Sequence, residues 1–307
     1  MNDQGIAFFQ MLVPIGLMLI MFSMGLTLRL RDFALVLKNQ RLVAAGLAGQ
    51  LVALPLLALA IGVALGLPPE IALGLFIVAI CPAGTTSNAL TFVGRGNVAL
   101  AIVLTALTSL VTVFSIPILL SWALPFFLAA QGEVPILSIP TVMLQLLTLT
   151  VLPVTAGMVL RHFRQGLAER MTIWLRPTAF IVLVAVIGLS VAVSLEMVLR
   201  NLAAAGPAMW LLNLAGISAG LLIGRAIGVG RKDSMTLAIE IGVQNVTLAI
   251  FLTLNVLESL PLAVTQNIYG VLMLINGTVL IRLYRPYLFR EERPEPALSR
   301  GSFRRTR

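Results

Sequence analysis

The chain has 307 residues, of which 59% are hydrophobic and only 11% charged, with a formal net charge of +9. At a mean hydropathy of +1.02 there are too few polar residues to clothe a water-soluble surface, so the composition excludes a soluble domain and indicates an integral membrane protein. The single cysteine, Cys81, excludes an intrachain disulfide framework and a multi-cysteine zinc site.

In chain order, apolar stretches of about the 20 residues needed to cross hydrocarbon recur without the alternating ten-residue pattern of barrel strands. They predict an all-α polytopic protein with nine crossings, at 6–28, 42–66, 70–94, 97–127, 138–160, 177–197, 203–224, 233–256 and 261–282. The start, MNDQGIAFFQ, lacks the basic flank of a signal peptide, so the first segment is expected to remain as a helix. Bases then follow every odd-numbered crossing. Arg29, Arg31, Lys38 and Arg41 follow the first, Arg95 the third, and Arg161, Arg164, Arg170 and Arg176 the fifth. Arg225, Arg231 and Lys232 follow the seventh. Of the 21 Lys and Arg residues only Arg200 falls on the other side. The positive-inside rule therefore puts the N-terminus outside and the C-terminus in the cytoplasm, in the cell's inner (plasma) membrane. This placement of charge gives nucleic acid no surface to bind. Residues 1–290 read as one transmembrane unit, and 291–307 as a basic, disordered cytoplasmic tail that anchors topology, with anionic lipid headgroups as the alternative role.

A short internal repeat accompanies the charge map. LAG at 47–49 and AIGV at 60–63 recur at 214–216 and 226–229. Each pair precedes a polar interruption, ICPAGTTSNALTF (80–92) and IEIGVQNVTLAIF (239–251). The two copies run in opposite directions through the membrane, an inverted repeat of the kind found in secondary transporters, whose sites lie at interrupted helices. Pro82, Gly84 and Gly242 are the expected breakers. Within the second interruption stands Glu240, the only charge between Ser234 and Leu257. A carboxylate at mid-bilayer costs roughly 2.5–3.5 kcal/mol on insertion scales, and apart from helix ends no Lys or Arg lies within a predicted span to pair it. That leaves a proton or a captured cation.

At CPAGTTSNALTFVGRGNVAL (81–100), EIGVQN (240–245), FSMGLTL (22–28) and LINGT (274–278) the sequence resembles the bile acid:sodium symporter family. The resemblance extends over nearly the whole chain. It implies a nine-helix variant lacking the family's first helix. Core helices are expected near 42–127 and 203–282, with two crossed discontinuous helices, and panel helices near 6–28 and 138–197. Two Na+ ions are implied as coupling ions, with no other cofactor. The first would be held by Ser87, Asn88, Thr105 and Glu240, the second by Gln50, Glu240, Gln244 and the main-chain carbonyls of Ile241 and Val243. A serine that the family carries in the first site is Ala101 here, which removes one ligand. Polar substrate contacts map to Thr85, Asn245 and Asn276.

The chemistry of these side chains agrees with the implied ions, because hard cations select carboxylate, hydroxyl, amide and carbonyl oxygens. Half-helix N-termini favour an anionic substrate. The expected function is thus sodium-coupled symport of an organic anion, bile-acid-like or a small carboxylate, by alternating access, with the lipid bilayer as surroundings and no obligatory protein partner. Two alternatives keep Glu240 but change its role: a proton relay in a proton-coupled carrier, or a structural acid hydrogen-bonded to Gln244. Asn213 reads as interhelical glue. A channel and a membrane enzyme are the other classes, the latter disfavoured because the lone histidine, His162, falls in a basic loop.

Overall fold

The computed structural model describes residues 3–34, 38–132 and 134–291. Among them the structure is all-helical, apart from one isolated antiparallel bridge between Ala83 and Gln244. Helix α1 covers Asp3–Gly25, and α2 covers Gln40–Ala64 with a π-helical turn at Gly49–Ala53. Next come α3 (Pro69–Ile80), α4 (Thr85–Val93) and α5 (Val98–Leu128). Then follow α6 (Ile139–Phe163), α7 (Gln165–Val193) and α8 (Leu195–Ala226). The chain continues through α9 (Arg231–Gly242), α10 (Val246–Val256) and α11 (Leu260–Glu291).

Six helices, α2, α5, α6, α7, α8 and α11, are long and apolar enough to cross a membrane. Three shorter apolar helices, Phe9–Gly25, Pro69–Ile80 and Val246–Val256, fall on the remaining predicted spans. Large apolar side chains such as Val63 (70% exposed) and Ile173 (70%) face outward, as a lipid-facing surface requires. Two boundaries differ from the sequence expectation. The spans expected at 177–197 and 203–224 are the apolar portions of longer helices separated by Ser194 alone. Likewise α6 continues through His162, so that residue sits in a helix end rather than a loop. Apart from Glu291, the last residue of α11, the expected basic tail lies outside the described residues.

The internal repeat is built into the capping geometry. Helix α2 ends with Gly66 at φ +56, Leu67 N bonding Gly62 O (3.1 Å) and Gly66 N bonding Val63 O (3.1 Å). Helix α8 ends the same way, with Gly228 at φ +73, Val229 N on Gly224 O (3.1 Å) and Gly228 N on Arg225 O (3.1 Å). Both are Schellman caps, which satisfy the last carbonyls and need a residue in the left-handed region. After each cap comes a pair of short helices, then a residue of positive φ that is not glycine, Arg95 (φ 57) or Glu258 (φ 48). The order helix, broken helix, helix therefore occurs twice.

Helix α8 presents Gly216, Gly220 and Gly224 at four-residue spacing to α9 (Arg231–Gly242). A Cβ at Gly216 would stand 2.9 Å from Ile241 O, one at Gly220 would meet the Ala238 backbone, and one at Gly224 would meet Ser234. Such stripes let two helices approach to backbone contact in lipid, where apolar side chains gain nothing from leaving solvent. The close packing fixes α9 and so the position of Glu240 near its end. Gly220→Ala is expected to destabilise the detergent-solubilised protein by about 1–3 kcal/mol, read as a lowered Tm. Gly188→Ala, which meets nothing within 4 Å, should leave Tm unchanged or raised.

Candidate functional site

Pro82 accounts for the first interruption. It lacks an N–H and disfavours helical geometry at the residue before it, and Cys81 accordingly leaves the helix at φ −72, ψ 149. Gly84 is extended, and α4 starts at Thr85. The second interruption contains no proline. There α9 ends at Gly242 and Val243 is extended, at φ −114, ψ 105. Asn245 then caps α10, its side-chain oxygen accepting from Leu248 N at 3.1 Å. Tertiary contacts hold this break open: the Gly242 carbonyl accepts from Asn213 Nδ2 (2.6 Å) and from Tyr269 OH (2.8 Å). The two breaks pair with each other. Besides the Ala83–Gln244 bridge, Asn245 N donates to Pro82 O at 2.8 Å, so backbone freed from helices is satisfied by the opposite break.

Glu240 lies on the last turn of α9, 2% exposed. Its Oε2 accepts from Thr105 Oγ1 at 2.9 Å, while Oε1 is buried without a hydrogen-bond partner. None of the ion pairs among the described residues includes it. Nearby protons are already engaged. The Thr105 hydroxyl also faces Ala101 O at 2.9 Å, and the Ser87 hydroxyl donates to Gly84 O at 2.7 Å. Asn88 Oδ1 is a further buried acceptor without a partner. The sequence-derived group Ser87, Asn88, Thr105 and Glu240 thus sits on α4, α5 and α9, which pack together. Ala101, fully buried, supplies a carbonyl to Thr105 but no side-chain oxygen.

The second group assembles around the breaks. The π-turn of α2 projects Gln50 inward, and π-bulges recur at functional sites. Gln50 Nε2 donates to Cys81 O (3.0 Å) and Gln244 Oε1 (2.6 Å), and Gln244 Nε2 donates to Ile241 O (2.7 Å). Gln50, Ile241 and Gln244 are therefore in contact, with Val243 beside them in the break. The two glutamines partner each other, and Glu240 takes Thr105 in place of the hydrogen bond to Gln244 that a purely structural acid would make. Among the described residues there is no cluster of three or more His, Cys, Asp or Glu. Any cation here meets one carboxylate and neutral oxygens.

The expected substrate contacts divide. Thr85, at the start of α4, lines a cavity of about 250 Å³ together with Thr86, Asn88, Ser23, Thr27 and Arg176. This space lies between α1 and α7 on one side and α4 and α5 on the other. Asn245 and Asn276 do not line it. Asn245 keeps a buried Nδ2 without a partner, and Asn276 Nδ2 donates to Asn213 Oδ1 at 2.8 Å.

A profile of the Sodium Bile acid symporter family matches residues 14–201. The probable sodium/metabolite cotransporter BASS1, chloroplastic, of Arabidopsis thaliana is 30% identical over 88% of this chain and 66% of that protein. The uncharacterized sodium-dependent transporter YocS of Bacillus subtilis is 29% identical over 87% of this chain and 81% of that protein. The human ileal sodium/bile acid cotransporter is 26% identical over 90% and 79%. The chain thus spans just under two thirds of the length of the first of these.

Two features of the site escaped the sequence reading. Arg176 abuts Pro177 at the start of an apolar run, and that adjacency was the signal that it could reach a membrane-facing cavity. Tyr269 gave none, being one aromatic residue in an apolar helix. Asn213, by contrast, is the interhelical link that the sequence suggests. Asn213→Leu would strip a partner from both Gly242 O and Asn276. It is expected to lower stability by about 1–3 kcal/mol, and Tyr269→Phe by about 1 kcal/mol or less, because Asn213 still serves that carbonyl; both are read as Tm in detergent.

Proposed function

The chain belongs to the sodium bile acid symporter family, and from that premise we propose that it is a sodium-coupled symporter of an organic anion. The family and the relatives named above are transporters rather than enzymes. In the proposed mechanism one Na+ binds Ser87, Asn88, Thr105 and Glu240, and a second binds Gln50, Glu240, Gln244 and the carbonyls of Ile241 and Val243. Both ions are cargo, moving down their gradient, and each charge crossing 100 mV contributes about 2.3 kcal/mol.

One observation carries this reading: Glu240 Oε1 is buried without a partner, while the Thr105 hydroxyl serves Oε2 and the Ser87 hydroxyl serves Gly84 O. Such a cluster of acceptors lacks a positive charge, and a hard cation supplies it. For the second ion the Gln50 and Gln244 amides turn their oxygens inward, at the cost of the bond between them. Because the sites share the two breaks, an ion that orders the breaks also fixes Thr85 at the N-terminus of α4. Ion and anion then raise each other's affinity by linkage.

The anion is proposed to enter the cavity beside Thr85, where the helix N-terminus and the Arg176 guanidinium favour negative charge. Helices α1, α6 and α7 pack on one another and would form the panel that moves against the remaining core. Nine crossings, with the N-terminus outside and the C-terminus in the cytoplasm of a plasma membrane, complete the proposed arrangement.

Thermal stability with sodium against potassium tests the ion sites. Sodium should raise Tm through its binding energy, and Glu240→Gln should abolish that rise; a full rise in the variant would refute the assignment. Ala101→Ser should lower the half-saturating sodium concentration by about two- to tenfold, the effect of one added hydroxyl ligand. In proteoliposomes, Arg176→Gln should raise the KM for a transported organic acid on the order of tenfold and leave the sodium-dependent Tm rise intact. Uptake driven by a proton gradient without sodium would sink the proposal.

A further inference from the structure

We propose that the seam between α1 and α6 is a specific binding site for an anionic phospholipid, separate from the substrate cavity and independent of the reading above. Two adjoining hollows carry it. The first, of about 590 Å³, is apolar and lined by Ile15, Met18, Leu19 and Phe22 of α1 with Leu152 and Pro153 of α6. The second, of about 520 Å³, continues the same seam beyond the end of α1, where Arg29, Arg31 and Arg161 line it beside Met158 and Val159. Both helices run in the same direction along the seam, since low numbers pair with low and high with high in the two hollows. From Ile15 to the end of α1 at Gly25 the helix rises about 15 Å, roughly the 15 Å of one hydrocarbon leaflet. Oil lies along one leaflet's depth and positive charge at its rim, which is the form of a phospholipid.

The charged end is under-neutralised. A single half-exposed carboxylate, Glu169, stands 3.9 Å from both Arg29 and Arg161, and it also accepts from Gln165 Nε2 at 2.9 Å. The other acid, Asp32, accepts from the Arg29 main-chain N–H at 2.8 Å. Arg161 is held in place by donating Nη1 to Leu26 O at 2.6 Å. Its side chain is 11% exposed, and its Nε is buried without a hydrogen-bond partner. A buried guanidinium N–H without an acceptor, in a pocket of surplus positive charge, calls for an anion. Phosphate chemistry satisfies it, and the apolar hollow next to it selects a phosphate carrying acyl chains.

The substrate cavity uses a different face of α1, through Ser23, Met24 and Thr27, so both can be filled at once. Native mass spectrometry and thermal shift of the full chain in detergent test the site, with phosphatidylglycerol, phosphatidylcholine of the same acyl chains, and inorganic phosphate as probes. Phosphatidylglycerol should be retained and raise Tm, while phosphatidylcholine and inorganic phosphate should do neither. The double variant Arg29→Gln/Arg31→Gln should weaken phosphatidylglycerol binding by about tenfold or more, and Arg225→Gln, which removes a charge elsewhere, should not. Met18→Trp, which fills the apolar hollow without changing charge, should also displace the lipid. Circular dichroism and a monodisperse elution profile check that each variant is folded. Equal retention of the two phospholipids, undiminished binding in both site variants, or a full shift with phosphate alone would each overturn the proposal.

Discussion

The structure depends on two lengths of backbone that leave the helix inside the most buried part of the chain and satisfy one another. A helix interrupted in an apolar medium exposes donors and acceptors that water cannot reach. Here the Ala83–Gln244 bridge and the bond from Asn245 N to Pro82 O absorb that cost. The pairing is antiparallel, as expected when the second half of a chain repeats the first upside down. Without it, neither α4 nor α10 would have a free N-terminus directed at the interior.

Around that junction the polar groups fall into two sets with different character. Asn213, Asn276, Tyr269 and the Gly242 carbonyl form a closed chain of hydrogen bonds, and closed networks rigidify. Glu240, Asn88, Thr105 and Ser87 form an open set, with acceptors in excess of donors. The first set holds the second break in shape, and the second set is chemically unfinished. A rigid frame thus stands beside a set of buried acceptors that the polypeptide leaves unpartnered, the arrangement on which the proposed cation site rests.

The arginines show the same division at the periphery. Arg29 and Arg161 pair with Glu169 rather than with Glu240. With Arg31 they line the hollow where helices α1 and α6 meet, and Arg176 alone lines the cavity beside Thr85. Positive charge thus lies toward the rim, and among the described residues Glu240 is the one buried acid.

Much of this was legible in the sequence. Hydropathy found the six helices long and apolar enough to cross a membrane, because crossing a bilayer imposes a minimum apolar length that composition records directly. The interruptions, the repeat and the burial of Glu240 were equally visible, since Pro82, Gly84 and an isolated acid among apolar neighbours are local signals. Helix ends were less so: α7 begins at Gln165 rather than near 177 because its first turns are polar and carry no membrane signal. Other features belong to the tertiary structure alone. Only the family resemblance implied that Gln50 and Gln244 come together; no residue pattern says that a π-turn lifts Gln50 inward, or that Tyr269 and Asn213 converge on one carbonyl. The same holds for Arg176, an exposed residue that lines the cavity beside Thr85. Segments can be recognised one at a time because burial leaves its mark on each residue, whereas pairings between atoms far apart in the chain exist only once the helices have packed.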